Sequence, residues 1–161
     1  MTDGWTAALE ASAAAVMLRN SVWAYPLVNA GHILGVALLI GSIIPLDLRL
    51  LGLWRSVPIA PLWQVLRPTA AVGLGMAIFF GSLLFITRAS AYAASALFIS
   101  KMVVVGTGIL NALVVHTTLP ENHPISMSEK SGLPIFLRFA AGLSLSVWLT
   151  ALVLGRLVGY F

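Results

Sequence analysis

Four long apolar runs constrain what this chain can fold into. They lie at about residues 23–46, 69–87, 92–115 and 133–158, and each approaches the ~20 residues that an α-helix needs to cross the hydrocarbon core of a bilayer. Hydrophobic residues make up 60% of the 161 positions and charged residues only 9%, which excludes an ordinary soluble domain. The sequence therefore predicts an all-α integral membrane protein, a four-helix bundle forming one transmembrane domain over residues 1–161.

Two amphipathic segments accompany the predicted spans. Asp3 and Glu10 occupy the region that would be basic in a cleaved signal, so we keep residues 1–20 in the mature protein and expect a short interfacial helix ending near Asn20. Residues 48–68, LRLLGLWRSVPIAPLWQVLRP, mix arginine with Leu, Trp and Pro. This pattern predicts an amphipathic connector lying on the membrane surface between the first and second spans.

The basic residues indicate an orientation for the bundle. Four spans place both termini on one side, and the arginines and lysines are divided unequally between the two sides. The connector and the third loop hold Arg49, Arg55, Arg67, Lys130 and Arg138, and the opposite side holds Arg19, Arg88 and Arg156. Since cytoplasmic loops are enriched in Lys and Arg, we expect both termini outside and the connector inside. The net charge of +4 thus reports topology and gives no reason to expect nucleic-acid binding.

His32 is the polar residue that most needs an explanation. It lies inside the first apolar run, in the sequence VWAYPLVNAGHILGVALLIGSIIPLDLR from Val22 to Arg49. An ionisable group in hydrocarbon is costly, and the usual reasons for keeping one are a metal or cofactor, a proton path, or a polar contact between two helices. All three readings stay open at this point, the last as a hydrogen bond to a Ser, a Thr or a backbone carbonyl of another helix.

Lys101 is expected at the same depth as His32. Both lie about nine residues into spans that run in the same direction, roughly 13 Å at about 1.5 Å per residue, whereas His116 lies roughly 22 Å deeper than Lys101. Two axial nitrogens on one iron must be about 4 Å apart, which excludes His32 with His116. If a haem binds at His32, its second ligand is then Lys101, or the site is five-coordinate. The alternative for Lys101 is a side chain that snorkels to the interface or pairs with a lipid phosphate.

Asp47, Arg49 and His116 are predicted to form a polar cluster at the inner end. An Asp-Arg pair at a membrane boundary usually anchors and terminates a helix. The functional alternative is a second site that handles protons or binds a quinone or an anionic head group. Asn111 is turned roughly 140° from His116 around the helix, so we expect it to face another neighbour.

Several chemistries are excluded by the residues themselves. The chain has no cysteine, which removes disulfides, iron-sulfur clusters, Cys-ligated zinc and thiol catalysis. No Ser-His-Asp arrangement, HExxH motif or phosphate-binding glycine loop occurs at useful spacing, so hydrolysis has no support. His123, in the polar run ENHP, is interpreted as an ordinary loop residue.

Two segments resemble known proteins. GHILGVALLIGSIIPLDLRLLG (Gly31–Gly52) and FISKMVVVGTGILNALVVH (Phe98–His116) resemble a group of small bacterial four-span membrane proteins, in particular an uncharacterised family with H-x2-G, G-x5-DLRLLG and F-x2-K patterns. More distantly, the chain is similar to copper-resistance D-type proteins and to the haem-containing membrane protoporphyrinogen oxidase of bacteria. This resemblance implies a bacterial protein with haem b on His32 and Lys101 as a second functional residue. Together with the orientation expected from the basic residues, it predicts an inner-membrane protein with periplasmic termini.

The leading hypothesis is a membrane-embedded b-type haem protein. It would carry out electron transfer or haem-dependent redox chemistry with quinone or a partner protein, with His32 as the axial ligand of the haem iron and Lys101 as a second axial ligand or a propionate partner. The alternative is a non-enzymatic membrane anchor or scaffold subunit of a larger complex. In either case, we expect a homo-oligomer or a subunit of a complex in the lipid bilayer.

Overall fold

The computed structural model describes residues 3–118 and 133–160, which form seven α-helices and no strand. In chain order these are α1 (Asp3–Glu10), α2 (Ala13–Asn20), α3 (Ala24–Leu51), α4 (Ile59–Thr87), α5 (Ala89–Ala94), α6 (Ala96–Thr118) and α7 (Ile135–Leu157). Helices α3, α4, α6 and α7 are long and apolar enough to cross a membrane. The predicted fold class, an all-α membrane four-helix bundle, is confirmed.

Helix α3 continues five residues beyond the predicted end of the first span. It ends at Gly52, which has φ of 106°, a left-handed conformation that costs glycine little because it lacks a Cβ atom. The Gly52 and Leu53 amides donate to the carbonyls of Arg49 and Leu48, at 3.1 and 3.0 Å, and so close the last turn. Asp47 and Arg49 therefore lie within the helix and not beyond it.

The connector between the first two spans is much shorter than predicted. Only residues 52–58 connect α3 to α4, and α4 begins at Ile59, ten residues before the predicted second span. Pro61 is tolerated because it lies in the first turn, where the backbone amide has no acceptor within the helix, and α4 also continues through Pro68. The apolar side chains of this first part of α4 pack into the core, which outweighs the local preference of proline to break a helix: Ile59, Leu62, Trp63 and Leu66 join Leu46, Leu50 and Ala141.

Helix α6 begins at Ala96, four residues later than predicted. The chain first forms the short helix α5, and the Ser95 hydroxyl then accepts a hydrogen bond from the Phe98 amide at 3.3 Å, which caps α6. Lys101 is consequently the sixth residue of α6, whereas His32 is the ninth of α3. Lys101 therefore lies about three residues, or one turn, closer to the start of its own helix than His32 does.

The four long helices are neighbours in the order α4, α3, α7 and α6. Helix α3 packs against α4 and α7, and α6 packs against α7. The Cα atoms of α6 stay more than 8 Å from those of α3 and also from those of α4. We call the space between α4 and α6 the seam. The end of the bundle at which α3 and α6 begin is called the outer end, and the opposite end is called the inner end. The seam is the open side of the bundle.

The N-terminal segment covers the outer end as two helices, not as the single one predicted. Ser12 separates them, and its hydroxyl caps α2 by accepting from the Ala15 amide at 3.3 Å. Arg19 donates to the carbonyl of Thr87 at 3.1 Å, and one Glu10 carboxylate oxygen accepts from the amide and hydroxyl of Ser90, both at 2.7 Å. These bonds tie α1 and α2 to the end of α4 and to α5.

Candidate functional site

His32 is held against α4 by a backbone carbonyl. Its Nδ1 lies 2.9 Å from the carbonyl oxygen of Ala77, and since a carbonyl can only accept, Nδ1 donates. A neutral imidazole that donates through Nδ1 carries a lone pair on Nε2. The polar helix contact expected as one explanation of His32 is therefore present, and it leaves Nε2 in the form that binds metals.

Glycines bring α4 close enough for this contact. A Cβ atom on Gly35 would lie 2.6 Å from the amide nitrogen of Ala77, and one on Gly73 would lie 2.5 Å from the amide nitrogen of Leu39. The two backbones thus touch, as in small-residue packing of membrane helices. Gly81 completes the pocket around the imidazole, because a Cβ atom there would lie 3.1 Å from His32 Nδ1 and Cε1.

Lys101 lies against the other half of the bundle. It is half-buried, and a Cβ atom on Gly155 of α7 would be 3.5 Å from its Cε and 3.7 Å from its Nζ. It is also within electrostatic range of His32. His32, on α3, thus contacts α4, and Lys101, on α6, contacts α7. The backbones of α3 and α6 do not touch each other. A group bound between these side chains would bridge the two halves of the bundle.

A cavity of about 400 Å³ opens at the inner end, between all four long helices. We call it the inner cavity. Asp47 lies on its wall with only 6% of its surface exposed, and its carboxyl group is hydrogen-bonded to the Ser144 side chain. The other carboxyl oxygen, Oδ2, has no hydrogen-bond partner in residues 3–118 and 133–160. Asp47 is thus a buried polar group that is only half satisfied.

Arg67 and His116 bridge the seam at the same cavity. A guanidinium group has no acceptor, so Arg67 donates to Nδ1 of His116, and it also lies over the Trp63 ring at 5.7 Å from the centroid. Asn111 lies on the cavity wall as well and donates to the carbonyl of Ala140 at 3.1 Å. Asn111 thus contacts α7 whereas His116 contacts α4, as the helical angle predicted, and both residues line the same cavity.

Arg49 does not join Asp47 and His116, so the structure divides the predicted inner cluster. Its Nε donates to the carbonyl of Val57 at 2.6 Å and its Nη2 to the carbonyl of Arg55 at 3.2 Å. Arg49 thereby fixes the short connector, which fits the anchoring role offered as the alternative. Asp47 and His116 line the same cavity, together with Arg67 and Ser144, which were not predicted to lie there. Arg67 was missed because its segment was predicted to lie on the membrane surface.

The residues present limit which groups could bind. Within the described ranges, no three His, Asp or Glu side chains come together as a metal-ion site. A haem needs only one or two axial ligands, and His32 with Lys101 remain available for it. His123 lies outside the described residues.

Comparisons with protein-family models, curated proteins and solved structures find no match to this chain. The case for a function therefore depends on the residues and geometry of the chain itself.

Proposed function

We propose that this protein is a membrane-embedded b-type haem protein that transfers electrons to or from quinone or a partner protein. The observation that carries the proposal is the bond from His32 Nδ1 to the Ala77 carbonyl, at 2.9 Å. Histidines that ligate a metal usually donate their other ring nitrogen to a carbonyl or carboxylate, which fixes the tautomer and the ring orientation. His32 has this arrangement within the membrane-spanning part of α3.

Haem b, when bound, supplies one-electron redox chemistry. His32 would hold the iron through Nε2, and the Ala77 carbonyl would keep the imidazole from turning. The apolar residues of α3, α4 and α7 would exclude water and so influence the potential.

Lys101 has two possible roles in this proposal, a second axial ligand or a partner for a haem propionate. Helical side chains lean toward the N-terminus of their helix, which in α6 is the outer end. Lys101 also lies near the start of α6, as its sixth residue. Both facts favour the propionate role, because propionates are anionic and are stabilised near the water-facing boundary.

We further propose that the protein resides in a bacterial inner membrane with periplasmic termini. Among the described residues, Arg49, Arg55, Arg67 and Arg138 lie toward the inner end, against Arg19, Arg88 and Arg156 toward the outer end. This asymmetry supports an inner end that faces the cytoplasm. Assembly as a homo-oligomer or within a complex is part of the same proposal.

The first experiment is a reduced-minus-oxidised absorption spectrum of the detergent-purified protein from a haem-replete host, with a pyridine haemochrome assay. We expect a b-type spectrum at close to one haem per chain. A well-folded protein with a flat spectrum would remove the proposal and favour the alternative, a non-enzymatic membrane anchor or scaffold subunit.

His32→Gln tests the ligand. Glutamine can still donate a hydrogen bond to the Ala77 carbonyl but lacks the imidazole nitrogen that binds iron. We expect this variant to insert and purify without haem, whereas His116→Ala, which removes the histidine at the inner end, keeps it. If His32→Gln retained haem and His116→Ala lost it, the haem would lie at the inner end, and the proposal would be wrong.

Lys101→Arg separates the two roles of Lys101. Arginine keeps the positive charge but stays protonated and therefore cannot ligate iron. An unchanged spectrum with a normal haem content would assign Lys101 to a propionate, and a changed ligation state would assign it to the iron. Lys101→Leu, which removes both the charge and any iron ligand, is expected to lower haem occupancy in both cases.

A further inference from the structure

The inner cavity has a polar end and an apolar interior. Asp47, Ser144, Asn111 and the Arg67–His116 bridge supply the polar groups. The rest of the wall is mostly aliphatic or aromatic and includes Leu39, Ile43, Leu74, Ile109 and Trp148. At about 400 Å³, the cavity falls in the range of ~300–1,000 Å³ that is typical of small-molecule sites. Its lining suits an amphipathic molecule with a small polar head.

Asp47 indicates what this head must provide. The residue is 94% buried and lines the cavity, and its Oδ2 has no partner in the part of the chain that the structure describes. Burying a carboxyl oxygen without a hydrogen bond is costly, and more so if the group is ionised. A bound molecule that hydrogen-bonds to Oδ2 would remove this cost.

We propose that the inner cavity binds the head group of a membrane quinol and its quinone, with Asp47 as the residue that recognises it. A carboxyl group accepts hydrogen bonds when ionised and donates one when protonated. A quinol hydroxyl donates and a quinone carbonyl accepts, so one aspartate can satisfy both forms by changing its own proton. The Arg67 guanidinium has donors besides the one used by His116 and can serve a carbonyl oxygen in the same site.

The seam gives this ligand a route from the bilayer. The backbones of α4 and α6 stay apart, and the cavity residues Ala71, Ala112 and Leu113 are exposed on the two sides of the gap. An apolar tail can remain in the lipid while the head reaches Asp47. The other source of the same chemistry is a lipid whose head carries a free hydroxyl group, and this source must be distinguished experimentally. The proposal concerns the inner end and holds whether or not haem binds at His32.

The test uses the purified full-length chain with decylubiquinone and decylubiquinol. Quinones quench tryptophan fluorescence at short range, and Trp63 and Trp148 both line the inner cavity. Saturable quenching by decylubiquinone that is reduced in Trp63→Phe and in Trp148→Phe, and is lost when both are replaced, would report binding in the inner cavity. Binding of decylubiquinol would be measured by displacement of decylubiquinone. We expect both forms to bind the unaltered protein.

Asp47→Asn provides the sharpest variant. Its amide still donates to a quinone carbonyl but cannot take up the negative charge that makes a carboxylate a strong acceptor. We expect quinol affinity to fall about tenfold or more while quinone affinity changes much less. Ala112→Phe, which places a ring at the mouth of the cavity, should weaken both. Ser146→Ala, on an exposed side chain of α7 that bonds only to the Gly142 carbonyl, is the matched control and should change neither.

Three results would overturn the proposal. The first is the absence of saturable quenching in well-folded protein. The second is unchanged affinity for both forms in Asp47→Asn and Ala112→Phe, which would place the quinone elsewhere. The third is a hydroxyl-bearing lipid, found by native mass spectrometry, that quinol does not displace and Ala112→Phe removes. None of these measurements depends on the haem spectrum, so failure here and failure of the haem proposal can be told apart.

Discussion

At the scale of single residues, three polar side chains of the membrane-spanning helices bind backbone carbonyls of other segments. His32 binds the carbonyl of Ala77, and Asn111 and Arg49 bind carbonyls of α7 and the connector. Each such bond satisfies a polar group that lipid could not, and each connects two parts of the bundle. Asp47 differs from them, because one of its oxygens has no partner in the described residues. Because of this difference, Asp47 is a stronger candidate for ligand binding than for a role in packing alone.

Glu10 gives a pH-dependent prediction at the outer end. The Ser90 side chain and amide donate to its carboxylate, and these hydrogen bonds hold the pKa of Glu10 below its usual value of 4.5. A lowered pKa in the folded state means that the contribution to stability is full above about pH 4.5 and is lost as the pH falls further. We expect the protection factor of the Ser90 amide, which corrects exchange for its intrinsic pH dependence, to fall over that acidic range.

Glu10→Gln is the corresponding variant. Glutamine can still accept from Ser90 through its side-chain oxygen but does not titrate, so the acidic fall in the protection factor of Ser90 should disappear. Hydrogen exchange followed by mass spectrometry or NMR measures this. Equal pH dependence in both proteins would show that the Glu10 contact does not control the docking of α1 onto α5.

At the scale of helices, the glycine contact between α3 and α4 makes a second prediction. A Cβ atom on Gly73 would lie 2.5 Å from the Leu39 amide nitrogen and 2.8 Å from the Gly35 carbonyl oxygen, which are backbone atoms that cannot rotate away. Gly73→Ala should therefore separate the helices and destabilise the protein by about 1–3 kcal/mol, the usual cost of overpacking. Since Ala77 would move from His32, haem occupancy should fall as well.

Gly75→Ala is the matched control, two residues further along α4. No heavy atom lies within 4 Å of the Cβ position at Gly75, so alanine meets open space there and should raise helix stability by about 0.5–1 kcal/mol. Thermal unfolding of both variants in the same detergent makes the comparison. Equal destabilisation would mean that glycine flexibility, and not close packing, is what α4 needs.

Helix existence and type could be predicted from the sequence, and several boundaries could not. The four apolar runs determine the spans because lipid leaves the backbone no other partners. The early start of α4 depends on Leu62, Trp63 and Leu66 packing against α3 and α7, which is a tertiary effect. The same effect hid Arg67 from the predicted inner site. The sequence could identify His32, Lys101 and Asp47 as candidate site residues, because each carries a group that is costly to bury in a membrane. It could not identify their partners Ala77 and Ser144, because alanine and serine are common in membrane helices.

At the scale of the whole molecule, the orientation can be tested by cysteine labelling, since the natural chain has no cysteine. Ala11→Cys lies between α1 and α2 at the outer end, and Ser56→Cys lies in the connector at the inner end. Both positions are outside the spans. We expect a membrane-impermeant maleimide to label Ala11→Cys in intact cells and Ser56→Cys only after the membrane is opened. The reverse pattern would reverse the proposed orientation.

The open seam between α4 and α6 also determines how a ligand of the inner cavity would be supplied. Its outer end is bounded by the stacked rings of Phe85 and Phe98, with centroids 5.4 Å apart, and its inner end by the Arg67–His116 bond. Entry between these limits is sideways, by diffusion in the plane of the membrane. Occupancy would then follow the mole fraction of ligand among the lipids and not its aqueous concentration, so a carrier that is almost insoluble in water could still saturate the protein.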